Sequence, residues 1–315
     1  MKYPIIKSKE EFDEHLQSRI WVQAAKQICR RHHISFSNLK RTDNGEHIVF
    51  LIDDSLVVKI YRPFRRCFDR EKKALELVGG RTNFKIPEIV YIGEIENFKY
   101  ILMTQLAGAA MTRAEWLKLP KNEQMAFVAE LAVGLKTIHS LDASSVKCDW
   151  SEFLEDRVNT FVKRQIAHGV NSQVIESLPA FIETNLKLLP KDSPTVFLHG
   201  DVHFGNLRLQ KSSGNWQISG LFDFADSRRG FHEYDFLAVG VLMIQGQAEV
   251  QREFFKSYGY AENRLDESCR RRMMMLTMLY ETSDLRRYAL RLKPEAVNFS
   301  LEELEKAIWS FADKH

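Results

Sequence analysis

Apolar residues recur along this chain in two periods, and each change of period marks a new element. Phe12, Leu16, Ile20, Trp21, Ala24, Ala25 and Ile28 keep a helical spacing, which predicts an amphipathic helix over residues 9–33. The segments "HIVFLID" and "SLVVKIYR" are rich in β-branched residues and meet at Asp53-Asp54, which predicts two strands and a tight turn. Helical spacing resumes in "FDREKKALELV" and stops at Gly79-Gly80, a helix-terminating pair. "IPEIVYIGEI" and "KYILMTQLAG" then predict two more strands, so one helix is inserted in a small antiparallel sheet.

Residues 112–190 read as helical, with Met125, Val128, Leu131, Ala132, Leu135 and Ile138 on one face. A short β segment, "TVFLHGDVHFGNLRLQ", turns at "KSSGN" and returns as "WQISGLFDFAD". The remainder is helical, ending in a stripe of Leu301, Leu304, Ile308 and Phe311. The class is therefore α+β: a small sheet-bearing N-terminal lobe over residues 1–107 and a larger, mainly helical C-terminal lobe over 108–315. A chain of 315 residues is long for one core, and the two lobes agree with that.

Composition narrows the class without changing the fold. A net charge of +3 from 45 basic and 42 acidic residues argues against nucleic acid or an anionic membrane as partner. The basic runs "YRPFRRCFDREKK" and "CRRRM" alternate with apolar residues and read as solvated helix faces. Cys29, Cys67, Cys148 and Cys269 form no C-x-x-C pair, which disfavours a zinc knuckle and a disulfide framework. "MKYPIIKSKEEFDEHL" is unlike a secretory leader, and "FLAVGVLMI" is too short to span a bilayer, so the expectation is a cytoplasmic protein.

The chemistry concentrates in "HGDVHFGN", His199 to Asn206, which suits two kinds of site. In an extended segment His199, Asp201 and His203 project to one side and could hold a metal ion. That reading leaves Asn206 and Asp223 without a role, and no H-E-x-x-H accompanies it. Phosphoryl transfer needs a carboxylate for the acceptor proton, oxygen ligands for magnesium, and a lysine on the phosphates. Asp201 and Asn206 have the D-x-x-x-x-N spacing of a kinase catalytic loop, and Asp223-Phe224 follows as the Asp-Phe pair does in kinases. Lys59 sits in a predicted strand, "LVVKIY", and Glu71 opens the next helix, with Glu76 the alternative partner.

These motifs together resemble the aminoglycoside phosphotransferase and choline kinase group of small-molecule kinases. "ILMTQLAG", "LAVGLKTIHSL" and "HEYDFLAVG" are similar to segments of that family, and the likeness runs from about Gly45 to Gly240. The resemblance implies a bilobal protein-kinase-like fold, with Asp201 as catalytic base and Asn206 and Asp223 as magnesium ligands. It implies Lys59 on the α- and β-phosphates, Glu71 as its partner, and His199 and Asp235 as supports of the catalytic loop. The nucleotide-covering loop, "RTDNGEHIVF", departs from the pattern by offering only Gly45.

Asp226, Glu233, Glu281 and Asp284 fall in segments that line the acceptor region of such enzymes, and carboxylates there would suit a polycationic aminosugar. Arg228, Arg229, Arg286 and Arg287 stand beside them. The expected cofactors are ATP, or GTP, and Mg2+, and the expected partner is a small-molecule acceptor: an aminoglycoside, or choline, homoserine or a sugar. The chain is expected to be a monomer or weak dimer. A kinase-like protein that binds nucleotide without catalysis remains open, although all four of Lys59, Asp201, Asn206 and Asp223 are present.

Overall fold

A computed structural model describes residues 3–42, 45–189, 194–212 and 214–312. The chain divides into two compact units, residues 1–108 with 219–227, and residues 109–218 with 228–315. The segment 219–227, read from sequence as part of the C-terminal lobe, groups with the first unit. Backbone hydrogen bonds tie Lys85 to Ser219 and Leu221, and the Ser227 hydroxyl donates to the carbonyl of Arg70.

In the first unit the predicted N-terminal helix is two helices, α1 (Lys9–His15) and α2 (Ile20–Arg31). Ser8 caps α1, and the Ser18 hydroxyl accepts from the amide of Ile20, a local bond that competes with helix continuation. The sheet comprises β1 (Leu39–Arg41), β2 (Ile48–Ile52), β3 (Leu56–Ile60), β4 (Ile89–Ile95) and β5 (Phe98–Thr104), ordered β1-β2-β3-β5-β4 and antiparallel throughout. Helix α3 (Cys67–Val78) is inserted between β3 and β4. β1 is too short to show a period in sequence.

Asp53 and Asp54 both adopt positive φ, 47° and 53°, in the tight turn of residues 53–55 that joins β2 to β3. The core of this unit seats Trp21, Ala24, Ala25 and Ile28 of α2 on Ile48, Phe50, Ile52, Val58 and Ile60. Strand alternation therefore sends Lys59 to the opposite face from Val58 and Ile60.

The second unit opens with α4 (Arg113–Lys118) and α5 (Lys121–His139), which the sequence pattern merged. Leu119 precedes Pro120 and is forced extended (ψ 141°), breaking the helix there. α6 (Trp150–Ala167) and α7 (Ser172–Asn185) follow. β6 (Val196–Leu198) leads into the motif, and β7 (Leu207–Ser212) and β8 (Asn215–Leu221) form a hairpin after it. β9 (Arg228–Gly230), not anticipated from sequence, pairs antiparallel with β6.

Then come α8 (Tyr234–Ala238), a π-helical turn (Val239–Ile244), α9 (Ala248–Tyr258), α10 (Glu267–Leu279), α11 (Leu285–Leu292) and α12 (Leu301–Ile308). Among the described residues no helix is long and apolar enough to cross a membrane.

Candidate active site

The first unit assembles a buried cation between two carboxylates. On α3, Cys67, Glu71, Ala74, Leu75 and Val78 form the buried stripe, so Glu71 is a charged residue in an apolar phase. Its carboxylate accepts from Lys59 Nζ at 2.6 Å and from the Tyr61 hydroxyl at 2.7 Å. Glu76, on the other face, is exposed and pairs with Lys72 instead. Lys59 Nζ also lies 2.7 Å from Asp223 Oδ1, and the Asp223 side chain is 42% exposed against 6% for Lys59. Burial pulls the Lys59 ammonium down, but the carboxylates of Asp223 and Glu71 outweigh it and hold the group above the ordinary lysine value. Burial raises the Glu71 carboxyl, and Lys59 only partly offsets this.

Asp223 has φ 65°, a left-handed conformation that Asp tolerates better than most residues. Gly45 also has positive φ and is exposed. His47, two residues on, is buried, its ring tilted against Tyr61 at 5.0 Å; burial, then Lys59, holds its imidazole well below the ordinary histidine value.

The second unit builds the "HGDVHFGN" loop around Asp235. This carboxylate, at the start of α8, accepts from the amides of His199 (2.9 Å) and Gly200 (2.7 Å) and faces His139 Nε2 at 2.9 Å. His139 Nδ1 continues to the Tyr258 hydroxyl at 2.8 Å. Gly200 has φ 92°, which turns the chain so that the Asp201 amide reaches His199 Nδ1 at 3.2 Å.

Asp201 is gripped at both oxygens. The Tyr280 hydroxyl donates to Oδ1 at 2.6 Å, and His203 Nε2 lies 3.2 Å from Oδ2. Because His203 Nδ1 accepts from the amide of Gly205 at 2.9 Å, its Nε2 carries the proton and donates. A side chain at Gly205 would strike this imidazole, its Cβ coming within 2.6 Å of a ring carbon. Asn206 donates Nδ2 to the Asp201 carbonyl at 2.8 Å, which leaves Oδ1 as its outward atom. Burial alone would raise the Asp201 carboxyl, but the bonds from His203 and Tyr280 hold it below the ordinary aspartate value. Tyr280 is pushed well above the ordinary phenol value by burial and by the Asp201 charge.

The alternative reading of the motif as a metal cage fails on this geometry. His203 spends both ring nitrogens within the loop, and among the described residues no three His, Cys, Asp or Glu side chains could share an ion.

A family profile described as phosphotransferase enzyme family matches residues 17–272. The chain belongs to that family. Solved structures similar to it include the GDP complex of wild-type aminoglycoside 2'-phosphotransferase-IIIa, at 15% identity, TM-score 0.71, covering 92% of this chain and 98% of that one. The streptomycin–ATP complex of APH(2'')-IIa is similar at 17% identity and TM-score 0.60, covering 90% and 97%. Aminoglycoside phosphotransferase APH(3'')-Id from Streptomyces rimosus, with ADP and streptomycin, matches at 16% identity and TM-score 0.58, covering 82% and 98%. At such identities the likeness is one of fold, the kinase-like α+β fold of these phosphotransferases. No sequence among the curated proteins matches the chain.

Within this family fold, the acids expected around an acceptor have other partners. Glu233 is fully buried, held by both Arg272 Nε (2.6 Å) and Nη2 (2.7 Å) and by the Tyr260 hydroxyl (2.6 Å). It therefore corrects the expectation of an acceptor-facing carboxylate. Glu281 pairs with Arg228 at 2.6 Å, and Asp284 caps α11 through the amide of Arg287. Asp226 belongs to the first unit.

Tyr280 is the residue that sequence reading missed. At the end of "MMMLTMLY" it reads as a core residue, and its bond to Asp201 spans 79 positions.

Proposed function

We propose that this protein transfers the γ-phosphoryl group of ATP, or GTP, to a hydroxyl of a small molecule, with an aminoglycoside or related aminosugar as the first acceptor class to test. The observation that carries the reading is Lys59, a buried lysine held charged between Glu71 and Asp223, because such a cation suits a phosphate tail and has no place in a metallohydrolase. Lys59 binds the α- and β-phosphates, Glu71 orients it, and the Gly45 loop covers the nucleotide.

Asp201 accepts the proton of the acceptor hydroxyl as the acceptor oxygen bonds to phosphorus and the bond to the ADP oxygen breaks. Its lowered proton affinity keeps it ionised at neutral pH, and the bonds from Tyr280 and His203 fix its direction. His199 and Asp235 support the loop.

The residues proposed to ligate Mg2+ are Asp223 and Asn206, whose side chains each carry a hard oxygen of the kind this ion takes when phosphates and waters complete its shell. When bound, it neutralises charge on the phosphates. Support for the aminosugar acceptor comes from relatives whose names specify aminoglycosides, since Glu233, Glu281 and Asp284 are engaged elsewhere. Asp226 is also proposed to face the acceptor.

The test is Mg2+-dependent ADP release across aminoglycosides, including hygromycin-type compounds, beside choline, homoserine and simple sugars. Stimulation by an aminoglycoside establishes the acceptor class; stimulation by another compound replaces it. Silence across the panel with nucleotide still bound would favour a non-catalytic kinase-like protein.

A further inference from the structure

The run "YRPFRRCFDREKK" reads from sequence as a solvated helix face, but in the first unit it walls a cavity of about 240 Å³. The cavity lies where the β3–α3 connection meets the β4–β5 turn, and Arg62, Arg65, Arg66 and Lys99 line it. Against these four cations stand the carboxylates of Asp69 and Glu94. Arg62 is 6% exposed and is anchored by the Glu46 carbonyl and, at 3.4 Å, by the Glu46 carboxylate. That same carboxylate, itself 56% exposed, also serves Arg65 at 3.0 Å. Asp69 takes Lys99 at 3.2 Å.

Two further features bear on what would fit. Tyr61 and Phe68 contribute rings to the wall, in edge contact at 5.4 Å, with Lys99 Nζ 4.9 Å from the Phe68 ring. Arg66 directly precedes α3, and no side chain caps this 12-residue helix, so the partial positive charge of its first turn adds to that of the arginines.

We propose that this cavity is a binding site for a small organic phosphate, with the phosphate on Arg65, Arg66 and Lys99 and a ring against Phe68, behind which Tyr61 is buried. Guanidinium groups match phosphate oxygens in paired geometry, and the half-buried Phe68 ring matches a flat substituent. Lys59 does not line the cavity, so this site is distinct from the phosphate role proposed above. α3 carries Glu71 one turn beyond the cavity, and an anion at its first turn braces the helix that positions Lys59. That last consequence rests on the nucleotide role of Lys59; the binding site itself does not.

The experiment is a calorimetric titration of the full chain with phenyl phosphate and, separately, inorganic phosphate. The chains compared are the wild type, the double variant Arg66→Ala/Lys99→Ala, and Lys59→Met. Arg66 and Lys99 are exposed, so the double variant is expected to keep its thermal midpoint. Phenyl phosphate should saturate the wild type and Lys59→Met alike and bind the double variant about tenfold or more weakly, the loss expected for charged hydrogen bonds. Tighter binding of phenyl phosphate than of phosphate assigns the ligand to a phosphorylated ring compound. Equal binding of both, with the same loss in the double variant, assigns free phosphate and overturns the role of the rings. No saturation at millimolar probe, binding that survives in the double variant, or binding that disappears only in a Lys59→Met chain shown by circular dichroism to be folded each overturns the site. An MgADP titration of the wild type reads the nucleotide proposal independently, so the two can fail separately.

Discussion

The two units hold their principal charged groups by opposite means. In the first, Lys59 is fixed by charge: a buried ammonium between two carboxylates, one of them on the buried face of a helix. In the second, Asp201 is fixed by a phenol, an imidazole N–H and, at 3.3 Å, the Asn206 amide, with no lysine or arginine among its hydrogen-bond partners in the described residues. The contrast follows from what each is proposed to do. A group that must hold phosphate charge through a reaction gains from partners that keep it ionised. A base that must accept a proton would be disabled by a permanent cation beside it, and neutral donors orient it at a smaller cost in basicity.

The largest expected effect breaks the second arrangement. Asp201→Asn keeps the shape of the loop but removes the proton acceptor, so turnover with the acceptor should fall on the order of 10²–10⁴-fold, with MgADP affinity nearly unchanged in calorimetry. Near-normal turnover would remove Asp201 from the chemistry.

Next is the first arrangement. Lys59→Met leaves Glu71 buried without its cation, which should cost about 3–5 kcal/mol at neutral pH in a urea titration. The loss should shrink as pH falls, because Glu71, already raised by burial, then takes up a proton. A pH-independent loss would mean that charge is not what holds this cluster together.

A third experiment asks whether the polar network near Asp235 is electrically quiet. His232 stacks on Tyr258 and is held by burial down to about 4. A histidine depressed in the fold binds fewer protons than the unfolded chain. Stability should therefore decline as pH drops from about 6.5 towards 4, by up to about 3 kcal/mol from this residue. In thermal denaturation, His232→Gln should flatten that part of the profile; an unchanged profile would place the acid sensitivity elsewhere.

The smallest effect sharpens the comparison most. Tyr280→Phe removes one neutral donor from Asp201 while keeping the ring in the core. It should move the carboxyl titration of Asp201, followed by carbon NMR, upward and lower turnover about tenfold. An unmoved titration would make Tyr280 a packing residue only.

Much of the frame was legible because it rests on local chemistry. The strand pair around Asp53-Asp54, the stop at Gly79-Gly80 and the buried phase of Glu71 all follow from spacing within a few residues. The Asp201–Asn206 spacing and the Lys59 strand likewise announced phosphoryl transfer. Where propensity had no period to act on, reading failed: β1 and β9 are three residues each, and the α4–α5 break depends on one proline.

By itself, then, the sequence determined the fold class, the family and the residue types available for chemistry. Tertiary structure alone decided their partners. It gave Lys59 to Asp223 across 164 positions and Asp201 to Tyr280 across 79. It also closed Glu233 onto Arg272, removing a carboxylate that the linear chain offered to a substrate. Local conformation is governed by neighbours along the chain, which sequence displays. The ionisation and direction of a side chain depend on burial and on the atoms folded against it, and those come from everywhere in the chain.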